Sequence, residues 1–191
     1  MDARTFSRRI FTYRSFIQAI DDLLARLPDL KHAARGGRVS KAFSERIMLA
    51  VTQVNGCRYC YWGHSLAALK AGIPQDQIDA IISNEFMELP AEEVPALLFA
   101  QHYAETEGHP DPEAWDKLVE QYTQEGAQDI LAYIRMITFG NLWGNSFDAL
   151  LSRFGGKPAP NSSLLSELGI IFGSVVILPF KVVVYFLKPR T

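Results

Sequence analysis

Cys57 and Cys60 are the two cysteines of the chain, and His64 follows four positions after the second. A bridge closing so short a loop adds little stability compared with one closing a long loop. The pair therefore reads as redox chemistry or metal binding rather than as a structural staple. Asn55-Gly56 reads as a helix stop, which places Cys57 at the entrance of the next helix. Two thiols at i and i+3 of a helix share a face and bridge with little rearrangement. The positive end of the helix dipole and its unpaired N–H groups favour thiolate over thiol there. His64 continues the same stripe. An imidazole at that position takes a proton from a thiol or, once protonated, stabilises its anion.

A fourth residue joins by geometry. Residues 44–54 and 57–70 predict an αα-hairpin turning at Asn55-Gly56, with Glu45 about ten residues before the turn and His64 eight or nine after it. At ~1.5 Å per residue the two side chains fall within about one helical turn of each other. From Ile47 to Val54 the first helix is apolar nearly all round, so it is expected to be buried. A carboxylate entering such a helix needs a partner, because burying it unpaired is expensive, and His64 is the nearest candidate.

The elements that must hold these residues are helical almost throughout. Phe6, Ile10, Tyr13, Ile17, Ile20, Leu24 and Leu27 form an apolar seam at alternating spacings of four and three, widened by Phe11, Phe16 and Leu23. It predicts one long helix, facing the core or a neighbouring subunit, that Pro28 stops. After Gly36-Gly37, Ser40 or Ser44 caps the first hairpin helix, and the second runs from about Cys57 to Gly72. Further helices are expected over Gln75 to about Asn84, Pro90 to Gly108 with Pro95 in the first turn, Pro112 to about Glu125 behind an Asp111 cap, and Gln128 to Phe154. An internal echo links Trp62-Gly63-His64-Ser65-Leu66-Ala67-Ala68-Leu69 to Trp143-Gly144-Asn145-Ser146-Phe147-Asp148-Ala149-Leu150, a possible duplication whose second copy lacks the cysteines.

These residues resemble a family. Glu45, Cys57, Cys60 and His64 match the Glu-x11-Cys-x2-Cys-x3-His signature of AhpD-like alkylhydroperoxidases in the carboxymuconolactone decarboxylase superfamily, and residues 40–84 look like that family core. The resemblance implies an all-α AhpD-like helical bundle with a CxxC-bearing hairpin, assembled as a homo-oligomer. It implies a thiol peroxidase that reduces a hydroperoxide substrate with a dithiol reductant, lipoyl-type in relatives, through a redox-active disulfide and no other cofactor. In that scheme Cys60 is peroxidatic, Cys57 resolves its sulfenic acid, and Glu45 and His64 relay the proton. Helix-dipole reasoning alone instead favours Cys57 as the activated and exposed thiol. The best-known members carry a histidine between the cysteines, where this chain has Tyr59. A phenol is a poor base near neutral pH, so a reduced relay, with slower turnover or another substrate, is expected.

Other readings compete. Zinc would take Cys57, Cys60, His64 and Glu45, but structural zinc sites normally draw ligands from two separated segments, and no second CxxC or HxxxH exists. A thioredoxin fold lacks its βαβ pattern. The decarboxylase branch of the same superfamily leaves the cysteine pair unexplained. A non-enzymatic redox-sensing or assembly protein of the same fold is the remaining alternative. His32 and His109 sit in loop-like surroundings and His102 on a helix of mixed polarity, while Tyr61 and Trp62 read either as core or as walls of a peroxide pocket.

With 191 residues, 48% hydrophobic and 21% charged, the chain fits one globular domain over 1–154. Its net charge of −2 and lack of a basic run speak against nucleic acid. The N-terminal stretch has no continuous apolar core of a secretory signal, so a cytoplasmic protein is expected. A linker, residues 155–163, leads to a hydrophobic segment over 164–191. Leu168 to Leu187 is long enough to span a bilayer, yet it contains Pro179 and Lys181 and enough β-branched residues to suit a strand as well as a helix. Membrane attachment and packing on a neighbouring subunit are its two expected roles.

Overall fold

A computed structural model describes residues 6–160 and 162–187. Among these the secondary structure is helical, with no strand: α1 (Tyr13–Ala25), α2 (Leu27–Gly36), α3 (Lys41–Asn55), α4 (Arg58–Lys70), α5 (Gln75–Ser83), a 3-10 turn at Phe86–Glu88, α6 (Val94–Glu105), α7 (Pro112–Phe154) and α8 (Leu164–Leu187). Chain contacts group these into two units, residues 27–141 and the segments up to Arg26 and from Leu142 onward.

In the 27–141 unit α3 is the central helix. Ser40 Oγ accepts the Phe43 N–H (3.0 Å) and so starts it. Gly56, at φ +67°, ends it by donating its N–H to the Thr52 carbonyl (2.8 Å), a left-handed turn that suits glycine. Residues 43–52 are buried without interruption, and α3 packs against α4, α5 and α6. Ile47, Leu49, Ile78, Ile81, Leu97 and Ile134 are among the side chains that fill the core between them. The near-continuous burial follows from the apolar circumference of α3, which no single neighbour can cover. The hairpin turn to α4 contains only Gly56 and Cys57.

The other unit departs from the single helix expected over residues 6–27. Residues 6–12 are not helical, and α1 begins only at Tyr13. Their backbone is engaged elsewhere: the Phe11 N–H donates to Ser146 Oγ (3.0 Å), Asn145 Nδ2 donates to the Arg9 carbonyl (3.0 Å), and Arg8 pairs with Asp148. A reciprocal capping box between Thr12 and Ser15 then starts α1, and its buried row is Phe16, Ile20 and Leu24. Pro28 does not end a helix. It lies in the first turn of α2, where its missing N–H leaves no hydrogen bond unmade.

Two further boundaries differ. The break expected near residues 125–128 lies at Thr123 (φ 65°, ψ 166°), within α7. There the threonine Oγ1 accepts the Gly126 N–H at 3.4 Å, so a side-chain cap restarts the helix ahead of Gln128. Helix α6 starts at Val94 rather than Pro90, with Pro95 in its first turn as expected. The C-terminal apolar segment, open to strand or helix from its composition, is the helix α8 with Pro179 inside it. Ser163 Oγ accepts the Ser166 N–H (3.2 Å) at its start. A lone strand would have had no ladder partner among the described residues, whereas a helix satisfies its own backbone.

Candidate redox site

The turn between α3 and α4 sets the sulfur geometry. Cys57 is the N-cap residue of α4, in extended conformation, and its Sγ accepts the Cys60 N–H at 3.3 Å. Cys57 and Cys60 are joined by a disulfide across a Cα–Cα distance of 5.3 Å. The sequence therefore does what the i, i+3 spacing requires: one turn of helix carries both halves of the bond. The two sulfurs are not equivalent. Cys57 is 1% exposed, whereas Cys60 is only partly buried against the core. Cys57 is thus not the exposed thiol that the helix dipole favours, because its capping role turns its side chain inward.

Glu45 and His64 meet across the hairpin. His64 Nδ1 lies 2.8 Å from Glu45 Oε2, with Glu45 1% exposed and His64 26% exposed. The other carboxylate oxygen, Oε1, pairs with Lys41 Nζ one turn earlier on α3. For Glu45 the largest single influence is burial, which pushes its carboxyl up. The hydrogen bonds and charges of His64 and Lys41 together outweigh it, and the group is held below its ordinary value. An ionised carboxylate only accepts, so His64 Nδ1 donates in this pair, which leaves Nε2 as the ring nitrogen that can exchange a proton with a third group. Among the described residues no hydrogen bond joins His64 to either sulfur in the disulfide state.

The contrast with Glu93 shows what a second partner does. Glu93 is partly buried, and it pairs with Arg46 at 3.0 Å, yet desolvation wins there and its carboxyl is raised. Glu93 has one cationic partner and the Glu92 charge beside it, whereas Glu45 has two hydrogen-bond partners.

Lys41 and Tyr133 are the residues that reading the sequence missed. Lys41 was legible as an i, i+4 partner of Glu45, but an exposed lysine at a helix start reads first as solvated. Tyr133, on α7, sits in the same field: burial pushes its phenol up, the Lys41 charge pulls it down, and Asp129 and Glu45 push it up. No sequence spacing links residue 133 to residue 45. Tyr59, in the position between the cysteines, has its ring 4.9 Å from the Arg58 guanidinium carbon and accepts a hydrogen bond from that group (2.9 Å). Trp62 is 72% exposed, so helical spacing does not make it core. With Tyr59, Leu66 and Leu69 it forms an exposed apolar stripe along α4.

The remaining histidines lie away from this cluster. His32 is on α2 rather than in a loop and contacts Arg38 (2.8 Å), and His102 Nε2 accepts the Asp111 N–H (3.2 Å). Among the described residues, no group of three or more His, Cys, Asp and Glu side chains is arranged to hold a metal ion.

Comparison with protein families matches the segment that contains this hairpin. Residues 21–105 match the carboxymuconolactone decarboxylase family. This is the AhpD-like superfamily, and the matched segment contains Glu45, Cys57, Cys60 and His64. The carboxymuconolactone decarboxylase family includes enzymes, AhpD and decarboxylases among them. Comparison with curated proteins and with solved structures gives no match.

Proposed function

We propose that this carboxymuconolactone decarboxylase family protein is a thiol peroxidase. The observation that carries the reading is the buried Glu45–His64 pair on the hairpin that opens, one turn of helix away, into the Cys57–Cys60 bond. A proton network of that kind serves no structural need of a disulfide, but a dithiol that must be deprotonated requires it.

The reaction begins with both cysteines reduced. His64 Nε2, with Nδ1 held by the Glu45 carboxylate, accepts the proton of a thiol and leaves a thiolate. Cys60 is the attacking sulfur, because it is the more open of the two. Its thiolate takes the terminal oxygen of the hydroperoxide, the O–O bond breaks, and the departing alkoxide leaves as alcohol with a proton from the relay. The resulting sulfenic acid is attacked by the Cys57 sulfur, water is released, and the disulfide forms. An external dithiol then exchanges with the disulfide, returning both thiols and becoming oxidised itself. The two sulfurs supply both electrons, so the scheme calls on no haem, flavin or metal. A lipoyl-type dithiol is the reductant to test first, a homo-oligomer is the form proposed, and the cytoplasm the compartment.

A second reading has one observation in its favour. Cys57 caps α4 with its sulfur, so its redox state bears on the start of that helix, as a sensing or assembly protein would need. Turnover separates the two. With dihydrolipoamide in excess, the peroxidase consumes many equivalents of cumene hydroperoxide per chain, and Cys60→Ser abolishes this consumption. A protein that reacts once and stops is a sensor, and Cys60→Ser with near wild-type turnover removes Cys60 from the attack.

A further inference from the structure

The unit that lies mostly outside the family match has a surface that the redox chemistry does not use. Helix α8 (Leu164–Leu187) has 24 residues, about 36 Å, and is long and apolar enough to cross a bilayer. Its two sides differ sharply in their neighbours. One side is covered by α1, which runs parallel to it. Gly169 faces the Tyr13 ring, where a Cβ would stand 3.0 Å from Cδ2, and Gly173 faces Phe16, where a Cβ would stand 3.3 Å from Cε1. Farther along, Lys181 Nζ bonds Asp21 Oδ1 at 2.5 Å. The small residues admit the rings of α1, and the one charge in the apolar run is turned to the same side.

The other side is exposed and wholly apolar. Leu165, Phe172, Val175, Val176, Phe180, Val183 and Leu187 range from 55% to 84% exposed. At ~100° per residue, the exposed positions from Val175 round to Phe180 cover about 140° of the helix circumference; the span is unbroken from Phe172 onward, whereas Gly169, nearer the start of the helix, falls within it beneath Tyr13. We propose that this face of α8 docks into a lipid bilayer, with the helix lying in the plane of the interface and α1 above it on the water side.

Three features select lipid, and select lying over crossing. A partner helix covers a narrow seam and is normally flanked by charged positions, whereas this arc is wider than a seam and has no charge on either flank. Lys181 points away from the arc toward Asp21, so inserting the arc buries no charge. The exposed side of α1 carries Arg14, Gln18, Asp21, Asp22 and Arg26. Because α1 contacts α8 from Gly169 to Lys181, a crossing helix would carry those groups into the hydrocarbon, at a prohibitive desolvation cost. An in-plane helix keeps them wet. A surface helix usually supplies its own polar face; here α1 supplies it. The sequence continues with Lys188 and Arg190, charges suited to anionic headgroups.

Flotation of the purified full-length protein with phosphatidylcholine–phosphatidylglycerol vesicles tests this. The wild type is expected to float, and the Phe172→Asp/Val176→Asp variant to lose about tenfold or more of its vesicle partition with its helical circular dichroism unchanged. Single Phe172→Trp, Phe180→Trp and Leu187→Trp variants, read against the wild-type tryptophan background by lipids brominated at different depths, are expected to be quenched at one shared shallow depth. Wild-type protein that stays out of the vesicle fraction overturns the proposal. So does a dimer in buffer that the double variant breaks, which would assign the arc to a second copy. A depth gradient with Phe180 near the bilayer centre overturns the in-plane arrangement and makes α8 a crossing helix.

Discussion

Glu45 holds the site's electrostatics together because its two oxygens serve two partners, Lys41 and His64. Its lowered pKa has a definite sign in stability. The contribution is present above the ordinary value of 4.5 and is lost as pH falls through the lower folded value. Denaturant melts of wild type and Glu45→Gln across acid pH should therefore converge as the pH drops, and a difference that stays constant with pH would contradict the pairing. Glu93, whose carboxyl is raised, contributes in the opposite sense, so its share is lost as pH rises through its folded value. Lys41→Met leaves Glu45 with one partner, like Glu93. The acid limb of the peroxidase pH–rate profile should then move to higher pH, and an unmoved profile would remove Lys41 from the site. His64→Gln should lower turnover by about a hundredfold or more, the usual scale of a general base. At this scale the sequence was half legible. The Glu45–His64 contact followed from counting residues around Asn55-Gly56, because helix rise is fixed. The inward turn of Cys57 did not, because it depends on which residue caps α4 rather than on spacing.

Among the elements, legibility tracked the caps. Helices α3 and α5 begin and end close to where Ser40, Gly56, Pro74 and Asn84 say they should, since each of those residues carries its conformation with it. The start of α1 was misplaced because the apolar spacing continues upstream to Phe6, while the backbone there is claimed by Asn145 and Ser146, residues that no local pattern connects to it. Gly56→Ala places a Cβ on a left-handed residue between the two site helices and should cost about 1 kcal/mol in a urea melt. A larger test lies at the junction of α7 and α8. Glu167, fully buried, is held by Arg153 through two bonds of 2.7 and 2.9 Å. Removing only the cation strands a buried charge, so Arg153→Met should lower the urea midpoint, and Arg153→Met/Glu167→Leu should recover most of the loss. Equal losses in the single and double variants would show that the pair is not what holds that junction.

For the molecule as a whole, the family match and the candidate site coincide. Residues 21–105 contain the hairpin, both sulfurs and the Glu45–His64 pair. Fold class was readable because apolar spacings of three and four recur along the chain, and such spacing admits one kind of element. What the sequence did not mark is the pairing of α1 with α8, which rests on Gly169 and Gly173 accepting aromatic rings from residues more than a hundred positions away. The central claim remains the dithiol. Its most direct measurement is the count of free thiols in fully reduced protein before and after one equivalent of cumene hydroperoxide, with the alcohol product measured alongside. Both thiols, Cys57 and Cys60, should disappear as one equivalent of cumyl alcohol forms. Two thiols still titrating beside unchanged hydroperoxide would contradict it.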